Sequence, residues 1–415
     1  MSKIFAGIDI GTDSVKVIVV EKIKNEFHLL ATSKVKSSGL KRGEVTDTKK
    51  VVENVKKAIS DVEKQIGTKI KQVVLCITPK NCIFNIVSGT LVFKEPKVID
   101  GNDVQKVMKK AISNKVTKDY ELVTAIPIDF KINDEKTVKN PTGITGEILE
   151  IKVVISETPK EPLYNLLGVL DVCEIEVIDI AYTTTGDYFA ARTSDLDKKV
   201  GVIINIGEDS TNISIYNKGI MIKNSTVNVG SYYIDHDLSY IYNINLDKAR
   251  ELKENFVVAS SRYADVYDKI ELETKGGTKY NVTQKDVSKV VEARIEEILK
   301  VAKKEIKNLT NRKISYIIVV GGLSEISGFN YILESTLGNI AYVYNSTIVG
   351  LRDNSFTSVL GLIKYFDNKL NLRNTECNMF SQEDVKKIIN VRSKDGTEFQ
   401  EVFNHFLQNK EDKVC

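Results

Sequence analysis

No C-x-x-C pair occurs in this chain, whose five cysteines, Cys76, Cys82, Cys173, Cys377 and Cys415, stand far apart. That spacing removes the simplest zinc-site reading. The three histidines, His28, His236 and His405, are scattered, and Asp235-His236-Asp237 opens an expected helix, where acidic residues complement the dipole. No run of about 18 apolar residues is present, so no segment is expected to span a bilayer. Charge of one sign is lacking too, with 59 basic against 56 acidic residues. The whole molecule therefore carries no electrostatic footprint for nucleic acid, and a charged partner has to be met by a local patch. The start, MSKIFAGIDIG, contains no cleavable apolar segment, which together with the cysteine usage predicts a reducing, cytoplasmic setting.

What is present is a repeat. IDIGTDSVKVIVV, residues 8–20, returns as INIGEDSTNISIY, residues 204–216, at an offset of 196 and without a gap. In each copy an alternating apolar run meets a turn of glycine and small polar residues and then resumes, which predicts a β-hairpin. Such a turn leaves backbone N–H groups able to face an anion. A third element, YIIVVGGLSEISGF, ends an apolar strand in Gly321-Gly322. Two facing turns and a Gly-Gly approach supply what a triphosphate needs, namely donors on both sides and small residues where backbone must come close.

Between these elements the periodicity predicts strands at 27–34 and 72–78 and a helix after Thr46-Asp47-Thr48, with Val51, Val55, Ala58, Ile59, Val62 and Ile66 on its buried face. Residues 84–156 change to a compact α+β pattern: strands near 87–93, 122–128 and 148–155, and a helix from Asn102. A helix at 161–170, a strand at 174–180 and a helix at 182–192 lead to the second hairpin. Thr183-Thr184-Thr185 reads as a helix start rather than a nucleophile, and Cys76 and Cys173 as core. Helices are expected at 234–242, 247–256, 284–309 and 354–365, and a linker at 371–380.

IDIGTDSVK, INIGEDSTN, VVGGLSEISGF and NSFTSVLGLIKY are similar to the two phosphate loops, the adenosine segment and the last connecting helix of the actin, heat-shock-chaperone and sugar-kinase superfamily. Within it, KNPTGITGEILEIKVVIS, preceded by AIPIDF, resembles the inserted subdomain of the FtsA family of actin-like bacterial division proteins. The resemblance covers residues 3–365. It implies an α/β, duplicated actin-like ATPase fold: two domains around a nucleotide cleft, an inserted α+β subdomain and a C-terminal tail. The expected parts are domain I at 1–83 and 161–200, the insertion at 84–160, domain II at 201–349, a closing helix of domain I at 350–370, a linker with a short basic helix at 371–396, and an amphipathic helix at 397–415.

The resemblance implies ATP and Mg2+ as cofactors. Gly11, Thr12, Asp13 and Lys16 would sit at the phosphates, and Asp9 would hold the water shell of Mg2+. Asn205, Gly207, Glu208, Asp209, Ser210 and Thr211 would form the second loop. Lys253 and Glu254 would reach the adenosine, and Gly321, Gly322 and Leu323 the nucleoside. The family's second loop usually reads D-x-G-G-G-T-T-D, whereas this one has Asn205, Glu208, Asp209 and Asn212. An amide cannot act as a general base, and carboxylates at 208 and 209 would repel phosphate. Weakened nucleotide binding and at most weak hydrolysis are therefore expected.

In the tail, Phe399, Val402, Phe403, Phe406 and Leu407 recur at helical spacing behind a Thr397/Gln400 capping box. The family ends in such a helix, which lies in the membrane interface. Its charges are acidic overall, with Glu398, Glu401, Glu411 and Asp412 against Lys410 and Lys413, while Lys386, Lys387, Arg392 and Lys394 precede it. The function implied is a division scaffold that binds ATP, self-associates into filaments and tethers the FtsZ ring to the inner face of the cell membrane. Alternatives are a PilM-like pilus-assembly actin homologue with a peptide partner and an ATP-dependent small-molecule kinase of the same fold. No nucleic-acid partner is expected.

Overall fold

The computed structural model describes residues 3–373 and 375–391. Two five-stranded sheets are built on one plan. In the first, Glu26–Lys36, Ser14–Ile23 and Lys3–Ile10 form an antiparallel meander, and Gln72–Ile77 and Glu176–Tyr182 extend it in parallel. In the second, Ile220–Val227, Thr211–Asn217, Val200–Ile206, Tyr316–Val320 and Ala341–Val343 follow in the same order and sense. The repeat holds to the register: Asp9 stands opposite Lys16 in one hairpin, and Asn205 opposite Asn212 in the other. The turns also agree, with Gly11 N donating to Ser14 O (3.1 Å) and Gly207 N to Ser210 O (3.0 Å).

The central strands read as unbroken apolar runs because both of their faces are covered. QVVLCI and YIIVV are buried almost throughout. Helix Thr48–Ile66 packs the expected face onto the first sheet; Asp47 caps its start and Gly67, at φ 71°, its end. Helix Gln284–Leu309, capped by Thr283, buries Val287, Val291, Ile295, Ile298, Leu299 and Ala302 under the second sheet. The insertion is a four-stranded antiparallel sheet, in the order Ile83–Val98, Thr145–Pro159, Tyr120–Ile132 and Lys136–Val138, with helix Gly101–Ile112 on one face. It has its own core, centred on Phe130, Leu149, Ile151 and Ile155.

Two helices join the halves. Thr183–Ala191 and Thr357–Arg373 cross where Gly186 and Gly361 meet, and a Cβ on Gly361 would lie 1.7 Å from Gly186 O. Only two glycines allow backbones to approach so closely. Beside the crossing, Tyr188 of the first domain stacks on Tyr216 of the second, with ring centroids 4.2 Å apart.

The segment after the closing helix differs from the expected linker. The helix itself runs to Arg373, and Met379 and Phe380 are buried in the core of the first domain. The Ala6 amide donates to Met379 Sδ (3.1 Å), and Thr68 Oγ1 donates to Asp384 (2.7 Å). The basic stretch forms a helix over 382–391 that buries Ile388. Periodicity missed this docking because isolated apolar residues in an irregular segment have no period to read. The tail face of Phe399, Val402, Phe403, Phe406 and Leu407 lies outside the described residues.

Candidate functional site in the interdomain cleft

Both hairpin turns and the Gly-Gly turn open into one cleft of about 610 Å³ between the two sheets. Gly11, Thr12, Asp13, Lys16, Asn205, Gly207, Glu208, Asp209, Ser210, Lys253, Glu254, Gly321, Gly322 and Leu323 all line it, as does Asp9. Gly321 adopts φ +102°, and a Cβ there would lie 2.3 Å from Ile206 O, so both conformation and space demand glycine. Thr211 is the exception among the expected residues. It is the first residue of its strand, fully buried, and its Oγ1 donates to Val229 O (2.7 Å), which turns it away from the cleft.

The two hairpins present different chemistry at matched positions. In the first, Lys16 Nζ donates to Asp9 Oδ2 (2.9 Å), with both side chains nearly buried. Burial disfavours the charged lysine, but the Asp9 carboxylate outweighs it and holds the ammonium above its ordinary value. In the second, Asn205 and Asn212 do not meet as an ion pair. Asn205 Nδ2 donates to Asp187 Oδ2 (2.7 Å) and Ser358 Oγ (3.2 Å), while Asn212 Oδ1 accepts from Thr226 Oγ1 (2.7 Å).

Asp187 went unnoticed in the sequence, although an acid inside AYTTTGDYFAA is a signal. It is fully buried at the helix crossing and accepts from Ser358 Oγ (2.6 Å) as well as Asn205. Burial pushes its carboxyl up to about 7 against the pull of those two hydrogen bonds. Asn205→Asp would set a second carboxylate against the first. That substitution is expected to cost about 1–3 kcal/mol at pH 8 and less at pH 5, where the two acids can share a proton. Urea unfolding at both pH values checks this, and an equal cost at the two would count against it.

Arg250 also escaped the sequence reading, one helical turn before Lys253 on Leu246–Asn255. Its guanidinium pairs with Asp13 of the first loop, lies 3.7 Å from Glu208 Oε1 of the second, and donates to Glu254 Oε1 (3.0 Å). Burial would raise the Asp13 carboxyl, yet Arg250 holds it below the usual range. Glu208 is shifted upward by burial, opposed by Arg250 and Lys253. The repulsion expected from residue 208 is thus partly neutralised within the protein. Lys253 is committed to Asp235 at 2.7–2.9 Å, and Asp209 accepts from the Arg42 amide at 3.4 Å.

Two family models match the chain, together over more than half of it: "Cell division protein FtsA" at residues 202–361 and "SHS2 domain inserted in FTSA" at residues 83–156. The chain belongs to the FtsA family. The insertion described above is that family's SHS2 domain, and the FtsA match spans the second hairpin, the Gly-Gly turn and the start of the closing helix. The cell-division protein FtsA of Bacillus subtilis (strain 168) is 25% identical over 368 residues, 88% of this chain and 83% of that one. Among solved structures, the PilM-PilN type IV pilus biogenesis complex is similar with a TM-score of 0.59 at 16% identity, over 90% of this chain and 99% of the other. MreB5 of Spiroplasma citri bound to ADP gives 0.54 at 13% identity, over 90% and 99%. The actin-like fold is common to all of them, and the role in cell division follows from the FtsA family.

Proposed function

We propose that this FtsA-family chain is a division scaffold that holds an ATP-type nucleotide between its two hairpin turns and self-associates as an actin-like filament. It tethers FtsZ to the cytoplasmic face of the membrane through residues 397–407. The observation that carries the nucleotide part is the convergence of two register-matched Gly turns and Gly321-Gly322 on one cleft. An ADP-bound relative of the same fold supports it. Mg2+, which would neutralise phosphate charge, fits beside Asp9. That carboxylate lines the cleft with Oδ2 already given to Lys16, which favours contact through water. Gly11, Thr12, Gly207 and Ser210 are the residues proposed to meet the phosphates, and Lys253, Glu254, Gly322 and Leu323 the nucleoside.

Nucleotide in this reading is a structural ligand: it biases the angle between the domains by its difference in affinity for the two states. Asn205 and Asn212 are both tied into hydrogen bonds and carry no base, which favours retention of ATP over hydrolysis. Calorimetry is expected to show saturable ATP and ADP binding, with phosphate release no faster than in Asp9→Ala. Failure to bind either nucleotide, or turnover that Asp9→Ala abolishes while its circular dichroism remains that of the folded protein, would contradict the reading. For the membrane part, liposome co-sedimentation should compare the full chain with one ending at Val391, because Met379, Phe380 and Ile388 belong to the core. Equal pelleting would remove the tether.

A further inference from the structure

The cleft that is proposed to take a polyanion is itself lined, among the described residues, by seven acidic side chains and five basic ones. Phosphates entering such a site must be met by a cation. Of the four cations other than Arg250, Lys16 is paired with Asp9 of its own hairpin, Lys253 with Asp235 of its own domain and Lys34 with Asp353 at 3.0 Å, while Arg42 is exposed at the cleft and meets Asp209 of the second turn through its backbone amide. Arg250 is placed differently. Beside Glu254 of its own helix, its partners come from both turns, Asp13 from the first and Glu208, at 3.7 Å, from the second, and both turns line the one cleft. About a quarter of its side chain is exposed, against 6% for Lys253 and 10% for Lys16. A planar guanidinium can exchange carboxylate for phosphate oxygens with the same fork geometry, which an ammonium cannot do as well.

We propose that Arg250 is a polyphosphate-binding residue: its guanidinium, shared between Asp13 and Glu208, turns onto the phosphates of a nucleoside di- or triphosphate held between the loops. The inference rests on the nucleotide reading above and adds to it the group that lets an acidic cleft accept a polyanion. Arg250 reaches across from the second domain, so the same move fastens the two halves around the ligand.

The test is calorimetric titration of the full chain and of Arg250→Gln and Arg250→Lys with ATP, ADP and adenosine, in the presence of EDTA and again with Mg2+. Arg250→Gln is expected to weaken ATP and ADP at least about 10-fold, as loss of a charged hydrogen bond does, and to leave adenosine within about twofold. Arg250→Lys should fall between, since charge without the fork is retained. The loss should be larger in EDTA than with Mg2+. Equal weakening of all three ligands would mean that Arg250 only shapes the cleft, and unchanged ATP binding would mean that it does not touch phosphate; either overturns the inference alone. Absence of nucleotide binding by the unsubstituted chain overturns the nucleotide reading and the inference with it.

Discussion

Asp9→Ala is expected to destabilise the nucleotide-free protein by about 3–5 kcal/mol, the usual cost of stranding one member of a buried ion pair. Lys16 is the member left behind. It is only 8% exposed, it sits between core strands, and Asp9 is its hydrogen-bonded carboxylate. The ammonium must then either lose its proton or draw water into the first sheet, and both disfavour the folded state. Removing both partners, as Asp9→Ala with Lys16→Met, should recover most of the loss, because an apolar pair pays no desolvation cost. Urea unfolding followed by circular dichroism suits a chain with no tryptophan. A loss below about 1 kcal/mol in Asp9→Ala, or no recovery in the double variant, would show that the pair does not hold the hairpin. Because the measurement is made without nucleotide, it does not depend on what Asp9 does for a ligand.

The second large effect belongs to Asp187 and to pH. Its carboxyl stands at about 7 in the folded protein against 3.8 for the free side chain. Between those values the folded state keeps a proton that the unfolded chain has released. Stability contributed by this group is therefore present at low pH and falls as pH rises, by about 1.4 kcal/mol per unit and about 4 kcal/mol in all between pH 4 and pH 7, then levels off. This sign is opposite to that of Asp13, whose lowered value adds stability as pH rises. The measurement is accordingly a difference. Subtracting the pH profile of Asp187→Asn from that of the unsubstituted protein should leave a downward slope between pH 4 and 7; a flat or rising difference would refute it. Asn at 187 can still accept from Asn205 and donate to Ser358, so the crossing keeps its geometry while losing the titration.

Features that depend on local period were readable from the residues. Gln284–Leu309 was expected to its ends, since a helical apolar stripe runs unbroken behind a Thr283 cap. The paired hairpins and the 196-residue offset were readable for a similar reason: register is a property of sequence order. The strands of the insertion were foreseen as shorter than they are. Ile83–Val98 extends to 16 residues because antiparallel edges continue through positions with polar or exposed side chains, such as Lys94, Glu95 and Val98, that carry no alternation. What escaped depends on residues far apart in the chain. Arg250 finds Asp13 across 237 residues and Ser358 finds Asp187 across 171, and no spacing rule connects either pair. Thr211 failed for the opposite reason: one residue along a strand reverses the side on which its hydroxyl falls.

The docking of Met379 and Phe380 also sets a path for mechanical load. A chain held at its C-terminal end would be pulled through residue 391, whose neighbours lie in the first domain rather than at the cleft. The load would pass through Val391 against Gly67 at the end of helix Thr48–Ile66, through Asp384 on Thr68, and then through Met379 to the Ala6 amide. Ala6 lies on the strand that leads directly into Gly11. Tension applied at residue 391 would thereby load the domain that carries the first hairpin turn before it reaches the second domain.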